Sequence, residues 1–130
     1  MKTTSRSDMS NQHDIAHHET AMLIASDKVE GTPVYGLDSK KIGRIENLMI
    51  DKITGQVAYV VLSFGGFLGL GTDHYPLPWS MLKYDENIGG YVVNITNDHL
   101  KNAPKFHEDE DFDWNKEQGR QIEAYYMIMM

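Results

Sequence analysis

The stretch that decides the fold is Gln56–Phe64, which reads QVAYVVLSF. Side chains alternate between the two faces of a β-strand, so Val57, Tyr59 and Val61 share one face and their neighbours share the other. Both faces are apolar over most of the segment, and this pattern predicts a strand that is buried on two sides. The interior of a small barrel would bury one side. A helix, the C-terminal tail or a second protomer must bury the other, which is the first indication of an interface.

Shorter strands are predicted before and after this segment. Period-two patterns bounded by turn residues predict them at Val34–Leu37, Ile42–Asp51, His74–Pro78 and Tyr91–Ile95. Ile45 is out of phase with the apolar residues around it, which predicts a bulge between Gly43 and Asn47. The sequence of Asp51–Gly55 (DKITG) predicts a hairpin turn in which Gly55 adopts a positive φ.

Local signals also predict an edge strand and three helical segments. Pro76 and Pro78 favour an edge position for their strand, because proline has no N–H group to donate to a neighbour. A short helical turn is expected at 79–82, directly after these prolines. Thr96 is a candidate N-cap for a short helix that ends near Lys101. A terminal helix is expected within 114–126, although Gly119 weakens it.

These elements predict an all-β fold, a small β-barrel of five to six short strands with a short helical C-terminal extension. The composition changes along the chain and suggests three parts. They are a flexible N-terminal arm at 1–21, the barrel domain at 22–106, and an acidic linker with a short C-terminal helix or tail at 107–130.

Composition excludes several classes of protein. The chain has 130 residues, 41% of them hydrophobic, which suits one globular domain with tails. Without cysteine it has neither disulfides nor thiolate metal sites. The formal charge of −7 argues against direct nucleic-acid binding, which needs clustered Lys and Arg. No apolar run approaches the ~20 residues of a membrane span, and no signal peptide is evident, so a cytoplasmic location is expected.

The order of short motifs along the barrel segment is distinctive. It runs Gly31-x-Pro-Val-Tyr, Lys41-Ile-Gly-Arg-Ile-Glu, Asp51-x-x-Thr-Gly55, VAYVVLSFGG, Tyr75-x-Leu-Pro-Trp79 and Gly90-Tyr-Val-Val-Asn-Ile95. From about Met22 to Phe106, this series resembles the PRC-barrel domain, a family named after the cytoplasmic domain of the photosynthetic reaction-centre H subunit. The resemblance implies an adaptor or assembly module that docks onto partner proteins. The family has no shared set of catalytic residues to transfer, and its fold does not by itself define a task.

The glycine-rich stretch Gly65–Gly71 (GGFLGLG) is a candidate phosphate-binding loop. Such loops normally lead into a helix whose N-terminus supplies amide donors, and here a strand follows. Three bulky apolar residues also stand between the glycines. An apolar flap that covers the barrel mouth or a partner surface is the better interpretation.

Histidine and carboxylate clusters are the remaining candidates for chemistry. His13, His17 and His18 form a histidine cluster that could bind zinc, but the arm lacks an obvious third ligand, and incidental metal affinity is the simpler interpretation. The acidic run at 108–113 lacks the ligand spacing of a calcium loop and suits a solvated linker. Asp73 and His74 are adjacent on a strand and therefore point to opposite faces, which opposes joint catalysis. No catalytic, cofactor-binding or metal-binding residue is expected, and no cofactor.

Exposed apolar side chains suggest an interaction surface. Its candidate residues are Phe64, Phe67, Leu68, Leu70, Tyr125, Tyr126 and Met127. Whether the C-terminal tail docks on its own barrel or on another subunit is left open. The expected function is a non-enzymatic protein-interaction or assembly module that self-associates as a homo-oligomer and binds an unidentified protein partner. One alternative is an accessory factor in RNA processing or ribosome maturation that acts through a protein partner. Another is a barrel that binds a small ligand or a metal.

Overall fold

The structure is a computed structural model with two compact units, Met1–Glu30 and Gly31–Met130. It describes residues 22–65, 72–107 and 110–129. In the first unit, the described helix is α1 (Ser26–Val29), which spans four residues and buries Val29. The predicted N-terminal arm at 1–21, with its histidine cluster, lies outside the described residues.

The second unit carries the sheet and the helices that cover it. Its strands are β1 (Pro33–Tyr35), β2 (Lys41–Ile50), β3 (Val57–Gly65), β4 (Thr72–Pro78), β5 (Leu82–Asp85), β6 (Gly90–Val93) and β7 (Phe106–His107). Its helical elements are a 3-10 helix at Trp79–Met81, α2 (Asn97–Lys101) and α3 (Lys116–Met129).

The described strands form one seven-stranded sheet in the order β5-β6-β1-β2-β3-β4-β7. Neighbouring strands are antiparallel, except that β1 and β6 run parallel. The sheet is not closed, because β5 and β7 stand at its two ends. The predicted fold class, a mostly β fold with a short C-terminal helix, is confirmed. The described part of the chain has seven strands rather than five to six, because β5 and β7 were not expected.

Strand β3 forms the centre of the core, as its sequence predicted. Val60 lies opposite Leu77 of β4 and opposite Leu48 of β2. Val60, Leu62 and Leu77 have no exposed surface. Burying an aliphatic side chain of this size contributes about 1.5–3 kcal/mol, so each of these positions stabilises the core.

Several local predictions are confirmed in detail. The register between β2 and β3 shifts between Ile45 and Asn47, so the expected bulge is present. A second irregularity lies between Lys41 and Gly43, where β2 pairs with β1, and Ile42 and Ile45 are both buried. In the predicted hairpin turn, Gly55 has a φ of +79°. Thr96 caps α2 by accepting a hydrogen bond from the backbone of His99 at 3.3 Å.

Pro76 and Pro78 lie on β4, whose expected edge position is partly realised. One side of β4 pairs with β3 along its whole length. On the other side, β7 pairs only with Asp73 and His74, so the proline half of the strand has no described strand beyond it. None of the described helices is long and apolar enough to cross a bilayer.

Candidate interaction surfaces

Tyr59 shows what covers the second side of β3. Its hydroxyl donates a hydrogen bond to Glu123 Oε2 of α3 at 2.8 Å, and its ring lies 5.6 Å from that of Trp114. Burial, followed by the bond to the Glu123 carboxylate, raises the pKa of Tyr59 to about 12. Val61, two residues further on the same face, is only 2% exposed. The C-terminal part of the same chain therefore covers this face, which is termed the outer face below.

An aromatic row runs along the outer face and fixes the segment that leads to α3. The ring centroids are 5.2 Å apart for His74 and Phe106, and 4.7 Å for Phe106 and Phe112. They are 4.8 Å apart for Phe112 and Trp114. Pairs of this kind contribute about 0.5–1.5 kcal/mol each beyond the area they bury. Phe106, Phe112, Trp114 and α3 are together termed the C-terminal cover.

Helix α3 completes the C-terminal cover. Ile122 and Tyr126 are four residues apart, share one helical face, and are 0% and 1% exposed. Neighbouring Tyr125 donates a hydrogen bond from its hydroxyl to the backbone carbonyl of His99. Helix α3 therefore docks on the sheet of its own chain, which answers the question that the sequence left open.

Strand β7 is tied to the start of β4 by polar contacts. His107 Nδ1 lies 2.9 Å from Asp73 Oδ1, and the backbone N–H of His107 donates to Glu110 Oε1 at 2.6 Å. The adjacent residues Asp73 and His74 have different partners, because Asp73 contacts His107 and His74 packs on Phe106. Glu110 of the acidic segment is thereby attached to β7.

The residues of the predicted interaction surface lie in different environments. Tyr126 points inward, because it shares the buried face of α3 with Ile122, and Tyr125 is half-buried and hydrogen-bonded. Met127 is 65% exposed, and Phe64, near the end of β3, is 37% exposed. The remaining predicted residues, Phe67, Leu68 and Leu70, lie outside the described residues.

The structure contains a second apolar region, which the sequence did not predict. It is a groove of about 530 Å³ on the β5-β6-β1 end of the sheet. Its apolar lining includes Tyr35, Leu37, Ile88 and Val92, and its charged lining is Lys83 and Asp85. Leu37 is 62% exposed and Ile88 is 46% exposed. This region is termed the β5-β6-β1 groove.

The opposite face of the same strands carries an aromatic cluster. The Tyr91 ring centroid lies 5.5 Å from that of Trp79 and 5.2 Å from that of Tyr84. Tyr91 is buried and Trp79 is half-buried. Tyr84 is 42% exposed, so the cluster begins in the core and ends at the surface beside the edge of the sheet.

Across 22–65, 72–107 and 110–129, no group of three or more His, Asp or Glu side chains is arranged to hold a metal ion. The hydroxyl of Ser63 donates to the backbone carbonyl of Arg44 at 3.5 Å.

Comparison with known proteins agrees with the fold. The family model of the PRC-barrel domain matches residues 22–100. An uncharacterised protein of Deinococcus radiodurans is 22% identical over 82 residues, which is 63% of this chain. The matched region spans 29% of the length of that relative. The match of the family model covers more than half of the chain and includes strands β1 to β6. The chain belongs to the PRC-barrel domain family.

Proposed function

We propose that this protein is a non-enzymatic interaction module that self-associates. The observation that carries the proposal is the β5-β6-β1 groove, in whose lining Leu37 is 62% exposed and Ile88 is 46% exposed. Apolar side chains gathered in this way commonly mark protein–protein contact. Membership of the PRC-barrel family supports the same function, because the resemblance implies docking onto proteins.

The position of the C-terminal cover indicates which surface is open to a partner. The outer face of β3 is already occupied by α3 and the aromatic row. A partner that used that face would have to displace the buried side chains of Ile122 and Tyr126. The β5-β6-β1 groove needs no such displacement, so it is the better candidate for contact.

The test is the molar mass of the full chain, measured by light scattering over a hundredfold range of concentration. Self-association predicts a mass that rises above 14.8 kDa as the concentration increases. Ile88→Asp is expected to lower the mass at a given concentration, because it places a charge beside the groove. Ile53→Asp is the matched control, since Ile53 is 92% exposed on the β2–β3 turn.

Two results would contradict the proposal. A mass of 14.8 kDa at every concentration would rule out self-association. If Ile88→Asp and Ile53→Asp weaken association equally, the effect of the added charge does not depend on its position. The β5-β6-β1 groove would then not be the surface of self-association.

A further inference from the structure

The β5-β6-β1 groove lies on one face of three neighbouring strands. Lys83 of β5 is paired with Val92 of β6, and Val92 is paired with Tyr35 of β1. Directly paired residues lie on the same side of a sheet, so these three side chains form a row across the face. Leu37 lies beyond one end of this face and Ile88 beyond the other, and they are 62% and 46% exposed. The face is therefore accessible to a partner.

Two opposite charges stand on this face. Lys83 and Asp85 are two residues apart on β5, so they share a side of the strand, and both line the groove. Asp85 Oδ1 accepts a hydrogen bond from the backbone N–H of Asn87 at 2.9 Å, which holds the carboxylate at the end of β5. Among the described residues, no carboxylate forms a salt bridge with Lys83. A partner that places a carboxylate near Lys83 and a cation near Asp85 is favoured, and a second copy carries both groups at the same spacing.

Two-fold symmetry determines how a second copy can meet this face. In a two-fold interface, a contact from one residue to another is always repeated in the reverse direction. An axis that lies between the two faces and runs across the strands sets each β5 antiparallel over its copy, so Lys83 faces Asp85 twice. An axis that runs along β5 sets Lys83 against Lys83 and Asp85 against Asp85. The charges therefore favour the axis across the strands.

The apolar parts of the two faces also match in this arrangement. Because Lys83 is paired with Val92 and Asp85 with Gly90, Val92 of one copy lies over Gly90 of the other. Gly90 has no side chain to fill this place, and a Cβ atom there would lie 3.3 Å from the ring of Tyr35. Val92 can therefore pack against the Tyr35 ring of the second copy.

We infer that two copies of this chain pack their β5-β6-β1 faces against each other, with Lys83 of each copy opposite Asp85 of the other. The inference rests on the proposed self-association and names its geometry. The axis reverses the strands, so the end of the face that carries Leu37 lies over the end that carries Ile88. The two exposed apolar side chains of the groove are thereby covered in the dimer.

The dimer is expected to be weak. A stable interface buries about 800 Å² on each partner, whereas β5 and β6 span four residues each and β1 spans three. Association should therefore depend on concentration within the range of an ordinary sedimentation experiment.

A mixture of two charge-reversed chains tests the reciprocal contact. In Lys83→Glu alone two carboxylates face each other twice, and in Asp85→Lys alone two ammonium groups do. Each variant should dimerise about tenfold or more weakly than the native chain. A mixed dimer of the two has a carboxylate opposite an ammonium group at both contacts, so the equimolar mixture should recover most of the native affinity. Lys52→Glu, on the β2–β3 turn, is the control with the same change of charge as Lys83→Glu.

A cross-link provides a second readout that does not depend on charge. The chain has no cysteine, so Leu37→Cys and Ile88→Cys each introduce a single thiol at an exposed position. Packed sheets lie about 10 Å apart, which a bismaleimide of similar span can bridge. An equimolar mixture of the two variants should give a covalent dimer that contains one chain of each. A mixture of Leu37→Cys with Ile53→Cys should not, because Ile53 lies on the β2–β3 turn.

The outcomes separate the two proposals, and far-UV circular dichroism checks that each variant is folded. A monomeric native chain at all concentrations overturns both. A native chain that self-associates overturns the face-to-face geometry alone if the charge-reversed chains associate no better mixed than separately and no mixed cross-link forms. Self-association would then use another surface. If Lys83→Glu or Asp85→Lys fails to fold, the cross-link alone decides.

Discussion

At the residue scale, Tyr59 gives the fold a dependence on alkaline pH. Its pKa is raised from 10.0 to about 12, mainly by burial and further by the Glu123 carboxylate. Because the folded chain holds this proton more tightly than the unfolded chain, stability is full below pH 10.0 and falls as the pH rises to about 12. Tyr59→Phe should therefore lose less stability in this window. Urea unfolding below and inside the window measures the difference, with Tyr35→Phe as the control on a half-buried tyrosine. Equal alkaline losses in the native chain and Tyr59→Phe would contradict the assignment.

Gly119 explains why a glycine stands inside α3. A Cβ atom at this position would lie 2.9 Å from the hydroxyl of Tyr59, and the next ring atom is 3.9 Å away. Glycine costs a helix interior about 1 kcal/mol relative to alanine. Gly119→Ala should stabilise the Tyr59→Phe chain by about that amount, because the obstructing hydroxyl is gone. In the native chain the gain should be smaller or reversed, because the Tyr59 hydroxyl must move away from Glu123. Equal effects in the two backgrounds, measured by urea unfolding, would show that the hydroxyl does not restrict position 119.

At the scale of the element, two adjacent tyrosines of α3 should respond in opposite ways to loss of the hydroxyl. The hydroxyl of Tyr125 donates to the carbonyl of His99, so Tyr125→Phe should lower the free energy of unfolding by about 1 kcal/mol. The hydroxyl of Tyr126 is buried without a hydrogen-bond partner among the described residues. Tyr126→Phe relieves that desolvation and should raise the free energy of unfolding by about 1 kcal/mol. Thermal unfolding of the two variants checks the signs, and destabilisation by Tyr126→Phe would indicate that its hydroxyl has a partner.

The elements also show which parts of the fold were predictable. Strand β3, the bulge before Asn47 and the turn at Gly55 follow from period, phase and turn chemistry, which are local properties. Strands β5 and β7 span four and two residues, too short to establish a period, and their pairing depends on distant partners. The sequence pattern therefore predicts neither of these strands.

The candidate sites differ in the same way. Strand β3 is apolar on both faces, so a second element had to cover its outer face. No local sequence pattern specifies that α3 of the same chain is that element. The β5-β6-β1 groove joins Tyr35 and Leu37 to Ile88 and Val92, more than fifty positions later in the sequence. Pairing of β1 with β6 brings these residues together, and that pairing is a property of the folded sheet.

At the scale of the whole molecule, the C-terminal cover is part of the folded core. A chain that ends at Phe106 lacks Ile122 and Tyr126, which are 0% and 1% exposed, and it leaves Tyr59 and Val61 of the outer face uncovered. Loss of one such side chain typically costs about 2–5 kcal/mol, and a small domain has about 5–15 kcal/mol in total. The truncated chain should lose most of its stability, bind a hydrophobic dye, and show a mass that rises with time.

If the C-terminal cover belongs to the core and is not the surface of self-association, truncation should increase association and not abolish it. The matched control is Met127→Asp in the full chain, which changes a 65% exposed residue of the same helix and keeps its buried face. The free energy of unfolding of that variant should lie within about 0.5 kcal/mol of the native value. Cooperative unfolding of the truncated chain at the native midpoint would mean that α3 rests on the sheet without stabilising it. The outer face would then become an alternative docking surface to the β5-β6-β1 groove.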